Sequence, residues 1–168
     1  YVSDENAIKP SVLEIGCGNG IRLQFLQKAG LSVCGIDPSR EAVSEVKKAG
    51  IEAYVGTADE LPFSGRFDIV VFGFCLYLCD REDLFKIASE ADRVLNDNGV
   101  IFILDFYAKY PYANDYHHLE GIRSYKMDYA KLFDWHPHYH VLKNVILDHG
   151  SVDSNDWTTI TVIQKKNA

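Results

Sequence analysis

The chain switches repeatedly between two hydrophobic periods. Ser11–Ile15, Ser32–Ile36, Ile51–Val55, Phe67–Phe72 and Val100–Leu104 or Asp105 are short apolar runs. Near-continuous runs of this length suit strands buried on both faces of a parallel sheet. Between them lie stretches with apolar positions three or four apart: Asn19 or Gly20 to Lys28, Arg40–Ala49 and Arg81–Leu95. That spacing predicts helices. Gly30 and Gly50 stand where C-caps belong, Ser39 and Asp80 stand where N-caps belong, and Asp83 takes the capping-box position. Gly56–Ser64 reads as a loop with a short helical turn around Asp59, and Asn96-Asp97-Asn98-Gly99 reads as a turn. Strands alternating with helices imply right-handed βαβ units. After residue 106 the pattern changes. Residues 106–140 are rich in Tyr and His, and two β-rich runs, Tyr139–Leu147 and Trp157–Lys165, flank a polar stretch and predict a terminal hairpin.

The chemistry concentrates in Val12-Leu13-Glu14-Ile15-Gly16-Cys17-Gly18-Asn19-Gly20. An apolar strand runs into a glycine turn and then a helix, whose first N–H groups are unpaired and face any ligand at the turn. Dinucleotide folds use G-x-G-x-x-G, whereas here the glycines alternate at 16, 18 and 20. Glu14, two residues ahead of the first glycine, would repel a pyrophosphate and welcome a cationic amino group. Asp37 ends the second apolar run, where the acid of nucleotide-binding folds meets the ribose hydroxyls.

Glu14-x-Gly16-x-Gly18-x-Gly20 followed by Gly35-Ile36-Asp37-Pro38-Ser39 resembles the class I S-adenosylmethionine-dependent methyltransferases, small-molecule (type 11-like) members in particular. Gly56-Thr57-Ala58-Asp59-Glu60-Leu61-Pro62-Phe63 with Phe67-Asp68-Ile69-Val70-Val71 is similar to the family's next block, and Arg93-Val94-Leu95 with Gly99 to the one after. The resemblance spans Val12 to Asp105. It implies an α/β, Rossmann-like, doubly wound fold with a mostly parallel seven-stranded sheet and an antiparallel C-terminal edge pair. Residues 1–168 would form one domain, with 106–140 as the acceptor-site insert. It implies S-adenosylmethionine as cofactor and S-adenosylhomocysteine as product. Gly16, Cys17, Gly18 and Gly20 would face the methionine portion, with Glu14 holding its amino group directly or through water. Asp37 would take the ribose, Pro38 and Leu61 the two adenine faces, and Thr57, Ala58 and Asp59 the adenine edge. Gly73 and Phe74 would close over the sulfonium.

Methyl transfer from a sulfonium needs positioning above all, and a base only when the acceptor must lose a proton. His117 and His118 are the base candidates because histidine titrates near neutrality. Tyr107, Tyr110 and Tyr112 are candidates to stack on an acceptor or surround the sulfonium. Strand four is followed by Gly73-Phe74-Cys75-Leu76-Tyr77, not by the Pro-Pro-Tyr or Pro-Cys signatures of nucleobase enzymes. With a net charge of −7, this argues against a nucleic-acid partner. The expected partner is a small-molecule acceptor, a hydroxyl first and an amine second. The competing readings are a silent cofactor-binding module that supports a partner, an NAD-type oxidoreductase, and aminopropyl transfer from a decarboxylated donor.

Composition adds limits. The four cysteines lack zinc spacing and are expected reduced, and no run reaches membrane-spanning length, so a cytoplasmic monomer or homodimer is expected. His136, His138 and His140 would share a face of an extended chain, and Asp105 ends strand five, but neither has the companions a metal site needs, and no metal is expected.

Overall fold

The structure, a computed structural model, describes residues 9–116 and 118–166. Nine strands are β1 (Ser11–Ile15), β2 (Ser32–Asp37), β3 (Glu52–Val55), β4 (Phe67–Gly73), β5 (Leu95–Phe106), β6 (Tyr112–Asp115), β7 (Arg123–Lys126), β8 (Tyr139–Leu147) and β9 (Thr158–Lys165). Three helices are α1 (Ile21–Lys28), α2 (Arg40–Lys48) and α3 (Leu84–Val94). Seven strands form one sheet in the order β3-β2-β1-β4-β5-β9-β8, and β6 pairs with β7 in a separate hairpin. The first five sheet strands are parallel, and β9 runs antiparallel between β5 and β8.

Strand alternation divides the core between the two sheet faces. Leu13, Ile15, Ile36, Val70, Phe72, Ile101, Ile103 and Ile163 point to one face, under Ile87, Ala91 and Val94 of α3 and the segment carrying Tyr129 and Phe133. On the other face Leu23 of α1 and Val43 and Val46 of α2 pack against Val33 and Ala53. Helices therefore lie on both faces, and the sheet is doubly wound. The strand order reverses between β1 and β4, so a crevice opens at their C-terminal ends, as in other open α/β sheets.

Several local expectations are corrected. The third helical stretch starts at Leu84 rather than Arg81 and is preceded by two single 3₁₀ turns, Leu76–Leu78 and Arg81–Asp83. Neither Asp80 nor Asp83 caps with its side chain: Asp80 has an extended backbone but makes no cap hydrogen bond, and Asp83 is already helical because the second 3₁₀ turn runs straight into the helix. Asn96 to Gly99 lies inside β5 as a bulge: Leu95 pairs with Phe67, and the ladder resumes at Val100 with Ile69. Asn98 takes a left-handed φ of 65° there. The β6–β7 hairpin was not expected, since four-residue strands such as Tyr-Ala-Asn-Asp carry no apolar alternation.

Candidate active site

A cavity of about 580 Å³ opens at the C-terminal ends of β1, β2 and β4. Gly16, Gly18, Asp37, Pro38, Thr57, Ala58, Asp59, Gly73 and Phe74 all line it. The glycine turn is pinned from beneath, with Gly16 N and Cys17 N both donating to Ile36 O at 2.9 and 3.1 Å. Gly18 has φ +52° and nothing within 4 Å of where a Cβ would stand, so its backbone faces open space. A Cβ on Gly16 would overlap Cys75. Asp37 joins the glycine turn to the turn after β2: its Oδ2 accepts from Gly18 N at 2.8 Å and its Oδ1 from Ser39 N at 2.9 Å. Each oxygen keeps a further lone pair for a ligand donor. On the far side, the Thr57 hydroxyl and Lys86, whose Nζ is 3.0 Å away, hold the Asp59 carboxyl below the usual carboxylate range. Phe74 follows β4 with a left-handed φ of 58°, held by Phe74 N donating to Leu104 O at 2.9 Å. A bulky residue in that region costs about 1–3 kcal/mol, a strain that clusters at ligand sites.

Glu14 lies at the second mouth of this crevice, in an adjoining space it lines with Gly16, Cys17, Gly18, Arg22 and Gly73. It is 1% exposed. The Arg22 guanidinium engages its Oε1, while its Oε2 is buried and has no hydrogen-bond partner among the described residues. Burial lifts its pKa from 4.5 to about 7, against the pull of Arg22 and with a further push from Asp37. Gly73 leaves room for this pair: a Cβ there would overlap the guanidinium and stand 2.6 Å from Glu14 Oε1. A buried carboxylate with one oxygen satisfied is a receptor for a cationic donor.

The remaining predicted residues lie elsewhere. A Cβ on Gly20 would come within 2.7 Å of Val46 Cγ2, so this glycine serves the contact between α1 and α2. Leu61 is 5% exposed within the core and does not line the cavity; Ile87 does. Tyr107 packs on Trp157 at 5.7 Å between ring centroids and borders neither the cofactor-sized cavity nor its neighbour. His118 lines a second, adjoining cavity. His117 lies outside the described residues. His138 N donates to His136 Nδ1 at 3.2 Å, and the two rings pack at 5.0 Å. Asp105, at the end of β5, is 1% exposed and accepts from Phe106 N at 2.8 Å and Tyr77 N at 3.3 Å. Burial lifts its carboxyl to about 7. It thereby anchors the 3₁₀ turn that carries Tyr77. Burial also pushes the Cys17 thiol up to about 12 and the Cys75 thiol well above its ordinary value, so neither is a ready nucleophile.

Sequence reasoning missed Arg22, Tyr77 and Tyr116. For Arg22 a signal existed: it sits in the first turn of α1, where the helix dipole disfavours a cation, so a partner had to compensate. Tyr77 and Tyr116 come together only in three dimensions.

Comparison with known proteins agrees with this geometry. A family profile described as "Methyltransferase domain" matches residues 12–99, just over half of the chain. An uncharacterized methyltransferase of Synechocystis is 35% identical over 106 residues, which cover 60% of this chain and 50% of that protein. The chain spans about half the length of the curated relatives it matches. Among solved structures, a SAM-dependent methyltransferase of Methanosarcina mazei superposes with a TM-score of 0.79 at 18% identity, over 95% of this chain and 94% of that one. The 1,6-didemethyltoxoflavin-N1-methyltransferase of Burkholderia thailandensis, solved with 1,6-didemethyltoxoflavin and S-adenosylhomocysteine, gives 0.78 at 16% identity over 95% and 72%. An open α/β sheet with a glycine turn at its switch point, an acid at the end of the second strand and a buried acid beside them defines a nucleoside-binding class. Within it, the chain belongs to the class I S-adenosylmethionine-dependent methyltransferases. No helix among the described residues is long and apolar enough to cross a membrane.

Proposed function

We propose that this chain binds S-adenosylmethionine and transfers its methyl group to a small-molecule acceptor, a hydroxyl in preference to an amine. The observation that carries the reading is the buried, unpartnered Glu14 Oε2 at one end of a crevice whose other end is bordered by Asp37. Ammonium at one end and ribose at the other are what the two acids suit. Glu14 receives the α-ammonium and Arg22 the α-carboxylate, an ion pair answering a zwitterion. Asp37 accepts from the ribose hydroxyls, Pro38 and Ile87 flank the adenine, and Ala58 N–H with Asp59 meets its edge. Thr57 supports Asp59. Gly73 and Phe74 lie over the methionyl chain.

When bound, the cofactor supplies an electrophilic methyl on a sulfonium. The chain's own residues hold it, aim it and shield it from water, which can account for much of the acceleration. Residues 106–140 complete the acceptor side of the same domain. The Burkholderia neighbour, named for and solved with the small molecule 1,6-didemethyltoxoflavin, and the net charge of −7 both support a small acceptor over a nucleic acid.

The test is turnover: S-adenosylmethionine with panels of phenols, alcohols and amines, scored by S-adenosylhomocysteine formed and methylated product recovered in equal amounts. Product with a hydroxyl compound supports the reading. Tight S-adenosylhomocysteine binding with no product from any class would instead make this a silent cofactor-binding module. Binding of NAD in place of S-adenosylhomocysteine would make it an oxidoreductase.

A further inference from the structure

A second cavity, of about 540 Å³, adjoins the first. Tyr77 and Tyr116 line both, so these two rings, 6.1 Å apart, form the shared wall. The wall is part of a longer aromatic run. Phe74 packs edge-on against Phe106 at 5.7 Å, Phe106 against Tyr77 at 4.9 Å, and Tyr116 against His118 at 5.2 Å. It leads from the glycine-turn cavity, where Phe74 stands, into the second cavity, where Phe106 and His118 stand.

One cation enters that second cavity. Lys126, from the β6–β7 hairpin, is half-buried, and its Nζ lies 4.2 Å from the Phe106 ring centroid. One N–H donates to Asn155 O at 3.0 Å. Among the described residues no carboxylate lies within 4.0 Å of it in an ion pair. Asp115 and Asp156 also border the cavity, but both are exposed and their charge is solvated at its mouth. Asp105, buried at the end of β5, and Asp153 also act on the ammonium through their charge, but neither lines the cavity, so among the lining side chains Lys126 is the half-buried charge that a ligand meets.

We propose that this second cavity is the acceptor site and that it takes a phenol, the ring standing against the Tyr77–Tyr116–Phe106 wall and the hydroxyl oxygen facing Lys126. This rests on the methyl-transfer reading above. An ammonium beside the acceptor favours the anionic nucleophile: it stabilises a phenolate and repels a protonated amine. The phenol proton leaves to water or to His118. The phenolate lone pair forms the new O–C bond to the methyl as the C–S bond breaks, and its electron pair neutralises the sulfonium. An aromatic ring also fits the wall better than an aliphatic alcohol, which has no π-face to offer. Lys126 carries a mild destabilisation of its own charge through burial, which a bound anion offsets.

The experiment uses 4-nitrophenol, whose phenolate is coloured, with 4-nitroaniline as the ring of similar shape that forms no anion. Both are titrated into the full chain saturated with S-adenosylhomocysteine. Wild type should bind 4-nitrophenol at least about tenfold tighter than 4-nitroaniline and lower its ionisation midpoint by about one pH unit. Lys126→Met should abolish both differences while S-adenosylhomocysteine affinity stays unchanged, and Lys126→Arg should restore them. Tyr116→Leu should weaken both rings alike. Equal binding of the two rings by wild type, no binding of either, or a lowered midpoint that persists in Lys126→Met would overturn the proposal. Failure of S-adenosylhomocysteine to bind wild type would instead overturn the methyl-transfer reading.

Discussion

Glu14→Gln isolates the amino-acid end of the cofactor site. In the structure the Glu14 side chain is buried, one oxygen is held by Arg22 and the other is unpartnered. A bound α-ammonium would fill the vacancy with a charge-assisted hydrogen bond, worth about 1.5–3 kcal/mol. At about 1.4 kcal/mol per tenfold, glutamine should weaken S-adenosylhomocysteine binding by about 10- to 150-fold. 5′-Methylthioadenosine lacks the amino-acid end and should change by no more than about threefold. Arg22→Met should show the same selectivity through the carboxylate. pH gives an independent readout. Glu14, faced by Arg22 and Asp37, has its midpoint near 7, and the ammonium requires its carboxylate form. Wild-type affinity for S-adenosylhomocysteine should therefore fall as pH drops below 7, approaching about tenfold per unit. Glu14→Gln, and 5′-methylthioadenosine with either protein, should show no such slope. Calorimetric titration of both ligands across this range measures all of it. Equal losses for the two ligands, or a pH slope that survives Glu14→Gln, would refute the reasoning.

Gly73→Ala should weaken S-adenosylhomocysteine at least about tenfold, because its Cβ would displace Arg22 and press on Glu14 Oε1; a crystal structure or titration showing an undisturbed site would contradict this. Stability should fall as pH rises from about 4.5 to 7: Glu14 and Asp105 both have folded-state pKa values near 7, above those of the unfolded chain, so the folded state holds extra protons in that window and loses them as pH rises. Denaturant melts should show a decline of up to about 3 kcal/mol per group, reduced in Glu14→Gln and in Asp105→Asn, and levelling above pH 7. Phe72→Ala, at a fully buried position beneath α3, should cost about 3–5 kcal/mol by the same melts without altering ligand selectivity.

The cofactor side of the site was legible because its signals are local. A glycine turn, an acid two residues before it and an acid at the next strand end sit within 24 residues and need only a strand–turn–helix–strand unit to converge. Even there, tertiary packing decided some roles. Leu61 went to the core and Ile87 took the cavity wall, a choice set by where α3 crosses the sheet. The proposed acceptor side was not legible. Tyr77, Phe106, Tyr116 and Lys126 come from a 3₁₀ turn, a strand end, a loop and a short hairpin, and no period connects them. Histidine and tyrosine composition drew attention to residues 106–140, but Tyr107 faces Trp157 and His136 and His138 pack on each other, which only the folded chain reveals. β1 to β4, α1 and α2 were placed within a residue or two, whereas α3 starts three residues later than expected and β5 five residues earlier. Asn96–Gly99 was misread as a turn because a bulge and a turn draw on the same residue types.

The central claim is that this crevice is a nucleoside site with Asp37 at the ribose and Glu14 at the amino-acid end, and its most direct test is titration of S-adenosylhomocysteine into the full chain alongside Asp37→Ala. The account predicts a dissociation constant of about 1 μM, roughly −8 kcal/mol, in wild type and a loss of at least about tenfold in the variant. No heat at millimolar ligand, or equal affinity in the two proteins, would contradict it.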